Sequence, residues 1–361
     1  MSDDARPRVS EGARPGVSGG RRGFASDNAA TVHPAVLESI VKANVGHAFG
    51  YGHDPYTASV ELAVAVALGA PDAKVFFVFN GTGANVLSLR AALRPWQAAI
   101  VAANAHLHTD EVGAPEAVAG AKLLVGETVD GKLTLDGVRG LIEKVNDEHS
   151  VTPGLVSLTQ STELGTLYSL DEMASLIEVA HSGGLLVHVD GARLANAAAA
   201  LGVGLADVVA GVDLVSFGAT KNGALGCEAV VVLNQSLEEG MLQLRKQTLQ
   251  LASKMRFLAA QFEALLLDDL WLVNAGHANA MAARLAGLVG SIDGVVVTRQ
   301  PVVNAVFATL PSAARIRLLE DFDFYEWDET TGEVRWMCSW DTTEADVDEF
   351  AAAVRSAVAS A

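Results

Sequence analysis

The chain has 361 residues, of which 50% are hydrophobic and 19% charged, with 25 Lys and Arg against 43 Asp and Glu and a net charge of -18. That apolar supply builds a sizeable core and excludes wholesale disorder, while the acidic surplus makes nucleic acid and anionic lipid poor partners. No window offers about 18 uninterrupted apolar residues to cross a membrane. The two cysteines, Cys227 and Cys338, cannot form a disulfide framework, and no Cys/His cluster has zinc-ligand spacing, so neither disulfides nor a bound metal is expected. The composition fits a reducing compartment, and a cytoplasmic location is the expectation.

Residues 1–23 mix Pro, Gly, Ser and Arg with acids and show no apolar periodicity, which reads as a disordered tail. From residue 74 short apolar runs alternate with helical patterns. The expected strands are Lys74–Phe79, Ala99–Ala102, Ala121–Val125, Gly154–Thr159, Gly184–Val189, Val212–Phe217 and Ala229–Leu233. They are apolar throughout, as strands covered on both faces are. Between them the periodicity predicts helices at Asn85–Ala92, Thr134–Asn146, Leu170–Ser182 and Arg193–Leu201. Such alternation predicts an α/β domain with a mainly parallel seven-stranded sheet. Beyond residue 234 come a long helical stretch over 236–267, a helix at Ala278–Leu288, and strands at Gly294–Thr298, Ala305–Thr309 and Glu333–Cys338. A final helix begins near Thr343. The expected division is a tail (1–23), an N-terminal segment contributing to site and interface (24–56), a large domain (57–267) and a small α+β domain (268–361).

Three short patterns carry chemistry. In Ser216-Phe217-Gly218-Ala219-Thr220-Lys221-Asn222-Gly223 a lysine leaves a buried strand among small residues, where a desolvated amine becomes a nucleophile. In His188-Val189-Asp190-Gly191-Ala192-Arg193 an aspartate stands at the carboxyl end of a strand, where open α/β sheets place ligands, with an arginine three residues on. In Asn80-Gly81-Thr82-Gly83-Ala84-Asn85 a glycine-rich turn opens a helix, and its N–H groups with the Thr82 hydroxyl suit an anion. Each has an ordinary reading alone: a surface lysine, an N-capping aspartate, a plain turn. A phosphate cradle, a strand-end aspartate and a strand-end lysine in that order are together what pyridoxal 5'-phosphate (PLP) requires.

The sequence resembles the fold-type I PLP enzymes, and among them the low-specificity L-threonine aldolase / β-eliminating lyase group. Matching segments are Phe24-Ala25-Ser26-Asp27-Asn28, Tyr51-Gly52-His53-Asp54-Pro55, the Asn80–Asn85 loop and Ala105-His106 through Asp110-Glu111. They continue with Thr159–Gly165, the Asp190–Arg193 and Thr220–Gly223 motifs, Gln250–Phe257 and Arg335-Trp336-Met337-Cys338-Ser339-Trp340-Asp341. Together they span roughly residues 24–355 in order. The resemblance implies that Lys221 carries PLP covalently, Asp190 pairs with its pyridine nitrogen, Gly81, Thr82 and Gly83 bind its phosphate, and His106 stacks on its ring. It implies that Arg193 and Arg335 hold the substrate carboxylate, with Ser26 at the substrate end. Tyr51, His53, Lys254 and Arg256 would come from a neighbouring subunit of a homotetramer with shared sites.

The expected reaction is reversible cleavage of threonine, allo-threonine or phenylserine to glycine and an aldehyde. The base taking the β-hydroxyl proton is His106, or a water held by His108, Glu111 or a partner residue. The chain departs from relatives at Ala25, His53, His108 and Gln160-Ser161-Thr162-Glu163, all around the substrate side. Rival readings are a same-fold β-eliminating lyase or aminotransferase, an inert PLP-binding protein, and a nicotinamide enzyme. The last lacks a complete GxGxxG after an early strand.

Overall fold

The computed structural model describes residues 22–143 and 148–361. The expected tail up to residue 21 and the expected helix end at Asn146 lie outside the described residues. Arg22, assigned to the tail, is held by Asp346 at 3.1 Å and Asp341 at 3.6 Å. The described chain forms two compact units, Val32–Leu272 and a second joining residues 22–31 to Val273–Ala361.

The strands of the larger unit are β1 (Lys74–Val78), β2 (Gln97–Val101), β3 (Lys122–Val125), β4 (Thr128–Val129), β5 (Lys132–Leu133), β6 (Thr152–Thr159), β7 (Leu186–Gly191), β8 (Leu214–Gly218) and β9 (Glu228–Val232). Seven of them form one sheet in the order β1-β9-β8-β7-β6-β2-β3, and these are the seven expected from sequence. Pairing is parallel from β3 through β8, and β9 runs antiparallel to both of its neighbours. The apolar runs become strands because both faces are covered: β8 and β9 are buried at every residue. The β4–β5 hairpin was not foreseen; its two-residue strands are too short to show a period.

Local signals explain most helix boundaries. Asn80 accepts from the Gly83 N–H at 2.8 Å, so this helix spans Gly81–Ala92 and starts four residues before its expected position. Ser169 and Glu172 form a reciprocal capping box that starts Leu170–Ser182 where expected. Helices at Pro34–Ala43 and Pro55–Ala67 were not foreseen, although each has a proline at its first position and a capping His33 or Asp54 before it. The single helical stretch expected over 236–267 is three pieces: a 3₁₀ turn at Gln235–Leu237 and helices Met241–Gln247 and Arg256–Leu266. Positive φ at Gly240 (82°) and Leu249 (63°) interrupts the helical backbone between them.

The second unit has β10 (Val296–Arg299), β11 (Ala305–Thr309), β12 (Tyr325–Asp328) and β13 (Glu333–Met337) in an antiparallel sheet ordered β10-β11-β13-β12. Helices Leu270–Val289, Ser312–Asp321 and Glu344–Ala359 accompany it, the first longer at both ends than expected. Its core is aromatic: Trp336 and Phe350 are fully buried with ring centroids 5.2 Å apart, and Phe24 stacks on Phe350 at 4.4 Å. Trp336→Ala should cost about 3–5 kcal/mol in equilibrium denaturant unfolding, the usual range for emptying such a site. A loss under about 1 kcal/mol would show that the cluster collapses around the gap.

Candidate active site

The parallel strands end where the sequence places its chemistry. In register, Thr159 of β6, Asp190 of β7 and Ser216 of β8 stand side by side, so the sheet itself brings the aspartate next to the strand that delivers Lys221. Open α/β sheets bind ligands beyond such strand ends. Beneath Asp190, His188 is fully buried between the hydroxyls of Ser157 and Ser216, each at 2.9 Å. Burial drives its pKa down to about 4, with Asp190 opposing, so it is a neutral structural ring.

Asp190 is 4% exposed and central to a chain of polar contacts. Its Oδ1 accepts from the Ala192 N–H at 3.1 Å, and its Oδ2 accepts from the Asn85 amide at 3.0 Å. The same amide donates to Glu111 Oε1 at 2.9 Å, which also meets His106 Nδ1 at 2.9 Å. Asp190 and His106, 84 positions apart in sequence, are thereby linked through two side chains. The hydrogen bond to Glu111 raises the His106 pKa, burial opposes it, and Glu163 and Asp190 add further upward pull. Glu111→Gln should therefore lower the His106 titration midpoint, measured by NMR of the ring in the cofactor-free protein. An unmoved midpoint would mean that Glu163 and Asp190 govern the ring instead.

Lys221 lies half-buried in the turn Thr220–Asn222 directly after β8. Gly223, at φ 105°, closes that turn in a conformation that side chains rarely adopt. The β8 strand end is tight: a Cβ on Gly218 would lie 2.6 Å from the Ala192 carbonyl oxygen. Arg193 caps the next helix, 6% exposed, with its Nη1 3.8 Å from Glu163 Oε1.

These residues fit pyridoxal phosphate on the structure's own terms. An ideal Cβ on Gly81 meets nothing within 4 Å, so space opens beside the helix start. Gly83 is held differently, since a Cβ there would strike the Gln250 amide at 2.4 Å. With Asn80 claiming the Gly83 N–H, the Gly81 and Thr82 N–H groups head a 12-residue helix, the usual phosphate geometry. Asp190 keeps lone pairs for a third donor. The buried Oε2 of Glu111, Oδ1 of Asn85 and Oγ of Ser161 have no hydrogen-bond partner in the protein, which marks this region as polar space to be filled. Among the described residues, no group of three or more His, Cys, Asp or Glu could hold a metal ion. No described helix is long and apolar enough to cross a membrane.

The remaining expected site residues divide between the two units. Tyr51 and His53 are exposed and line a cavity of about 560 Å³ with Glu61, Lys74 and Arg245. Strand β1 lines this cavity from Lys74 to Phe76, and Phe76 is two residues, about 7 Å at about 3.3 Å per residue, from Val78, which pairs with Glu228 near the lysine turn. Lys254 is exposed, and Arg256 spends its guanidinium on the Val45 and Gly46 carbonyls at 3.0 and 3.2 Å. In the second unit, Ser26 caps the turn Asp27–Ala29 through the Asn28 N–H. There Arg335 is buried on β13, its guanidinium 4.6 Å from the Trp327 ring and 5.4 Å from Tyr325. Asn85, and Glu111 in its tie to His106, were not foreseen as site-building residues. For Asn85 the sequence signal was its place at the end of the glycine-rich motif; Glu111 was named as a possible holder of a water, not as a partner of the ring.

The profile of the beta-eliminating lyase family matches residues 23–312. A low-specificity L-threonine aldolase of Pseudomonas aeruginosa is 42% identical over 337 residues, 92% of this chain and 96% of that protein. One from a Pseudomonas species is 40% identical over 341 residues, 93% and 98% of the two chains. Among solved structures, the threonine aldolase of Leishmania major superposes with a TM-score of 0.88 at 32% identity, covering 93% of this chain and 99% of its own. By sequence and fold, this chain belongs to the beta-eliminating lyase family of pyridoxal-phosphate enzymes, beside the low-specificity L-threonine aldolases.

Proposed function

We propose that this protein cleaves L-threonine, L-allo-threonine and related β-hydroxy-α-amino acids such as phenylserine, reversibly, to glycine and an aldehyde. The observation that carries the reading is near full-length identity of 40–42% with low-specificity L-threonine aldolases. Bound PLP supplies an electron sink for the pair left on Cα when the Cα–Cβ bond breaks. Lys221 offers the amine that holds the cofactor, and Asp190 keeps the pyridine nitrogen protonated. The N–H groups of Gly81 and Thr82 would take the phosphate, the expected Gly83 N–H being held by Asn80, and His106 would lie against the ring.

Arg193 and Arg335 bind the substrate carboxylate, with Ser26 at the substrate end, which fixes the angle of the bond to be broken. His106 is the group that receives the β-hydroxyl proton; its hydrogen bond to Glu111 raises the proton affinity of the ring, which strengthens it as an acceptor once it has given up its own proton. A water held by His108 or Glu111 is the alternative. Tyr51, His53, Lys254 and Arg256 act from a neighbouring subunit of a cytoplasmic homotetramer, a reading supported by the exposed Phe49, Leu62, Val66 and Leu249 of the larger unit.

The test is turnover of the three substrates by the PLP-loaded enzyme, with products identified. Glycine plus aldehyde supports the aldolase. Ammonia plus a keto acid points to the same-fold β-eliminating lyase, and an amino group passed to a keto acid points to an aminotransferase.

A further inference from the structure

Strand β13, which carries Arg335, lies between β11 and β12 in the second sheet. In register, Phe307 of β11 stands opposite Arg335 on one side and Tyr325 of β12 on the other, while Arg299 of β10 stands opposite Phe307. One residue from each of the four strands therefore forms a row across one face of the sheet. Val334 and Trp336, next to Arg335 in sequence, point to the other face and belong to the aromatic core of the unit.

The row sets cations against rings. The Arg299 guanidinium lies 4.6 Å from the Phe307 ring, and that of Arg335 lies 4.6 Å from Trp327 and 5.4 Å from Tyr325. Trp327 comes from the point where the β12 register shifts, between Glu326 and Asp328, and such irregularities re-aim a side chain. Its ring meets Phe307 edge-on at 5.5 Å and 82°, which fixes it from behind. Glu333, two residues before Arg335 and so on the same face, is engaged by Arg299 at 3.2 Å and by the Thr298 hydroxyl.

The kind of neighbour decides what an arginine can do. A carboxylate beside it would occupy in-plane N–H groups and cancel its charge. An aromatic face attracts the charge through the flat side of the guanidinium and accepts none of those N–H groups. The plane is then set, and its edge can meet a carboxylate through two parallel hydrogen bonds.

We propose that Trp327, seconded by Tyr325, is a positioning residue for Arg335: the two rings fix the plane of the guanidinium that grips the carboxylate of the substrate and of glycine. This rests on Arg335 being a residue that holds that carboxylate. Trp327 has the larger share, because indole is the stronger partner for a cation and the closer of the two here.

The experiment measures the dissociation constant of glycine for the PLP-loaded enzyme by isothermal titration calorimetry. Trp327→Leu should weaken glycine about tenfold, and Trp327→Phe, which restores a ring face, should return it to within about threefold of wild type. Trp327 is half-buried on an edge strand. Should the leucine variant fail to fold, Trp327→Met fills more of the space without a ring and carries the same expectation. Glycine binding within about twofold of wild type in the ringless variant overturns the proposal. A double-mutant cycle separates positioning from general support of the fold. In an Arg335→Ala background, Trp327→Leu should add less than about twofold. The full tenfold loss in both backgrounds would show that Trp327 acts independently of the guanidinium, which also overturns the proposal. If Arg335→Ala alone leaves glycine binding unchanged, the assignment of Arg335 to the carboxylate has failed and the proposal falls with it, a result distinct from a silent Trp327→Leu beside a weakened Arg335→Ala.

Discussion

Lys221→Ala should reduce glycine release from L-threonine by at least about a thousandfold while leaving the far-ultraviolet circular dichroism unchanged. The side chain is half-buried at the end of β8, and the turn's backbone is held by Glu228 and closed by Gly223 rather than by the lysine. Truncation therefore removes the amine without removing the turn. Stopped product formation with intact folding is the expected signature, and reduction of the PLP-loaded variant with borohydride should leave no cofactor attached. Residual turnover within about tenfold of wild type would show that another amine does this work.

Asp190→Asn should lower kcat by about a hundredfold to a thousandfold, with a much smaller change in KM. Asparagine can still accept from the Ala192 N–H, so the strand end keeps its shape. What disappears is the negative charge that would hold a ring nitrogen protonated, an effect worth about 1–3 pK units between close opposite charges. A second change accompanies it: the Asn85 amide, which donates to both Asp190 and Glu111, loses its charged acceptor on one side. The loss should appear in kcat because the proposed carboxylate binding by Arg193 and Arg335 would not depend on that charge. A fall in kcat of less than about fivefold would mean that Asp190 serves the fold rather than the ring.

How much of this was legible in sequence depended on whether a feature announces itself locally. The seven sheet strands did, because burial on both faces leaves uninterrupted apolar runs. Leu170–Ser182 did, because capping residues and the closing glycines bracket it. The stretch over 236–267 misled, because its helical period continues through Leu249, whose positive φ no residue-type rule anticipates. Strand β12 was invisible because Tyr325–Asp328 is half-buried at every position and shows neither alternation nor an apolar run. In the site, Lys221, Asp190 and the Gly81–Gly83 loop stood out by residue type at strand ends. Asn85 did not, and Glu111 was singled out only as a possible holder of a water, since the Asn85 contacts that join Asp190 to Glu111 reach 105 and 26 positions along the chain. Long-range pairing of that kind leaves no local pattern to read.

The stacking of Phe24 on Phe350 has a bearing on how the protein is made. Synthesis runs from the N-terminus, so the ribosome completes all of Val32–Leu272 before the helix carrying Phe350 exists. The larger unit has its whole sheet available by Val232, whereas Phe24 must wait for more than 300 further residues to be added. The second unit is thus assembled last, by recapture of a segment translated first, and contacts so distant in sequence form slowly. On nascent chains stalled before residue 340, protease should trim the segment around Phe24 while sparing β1 through β9.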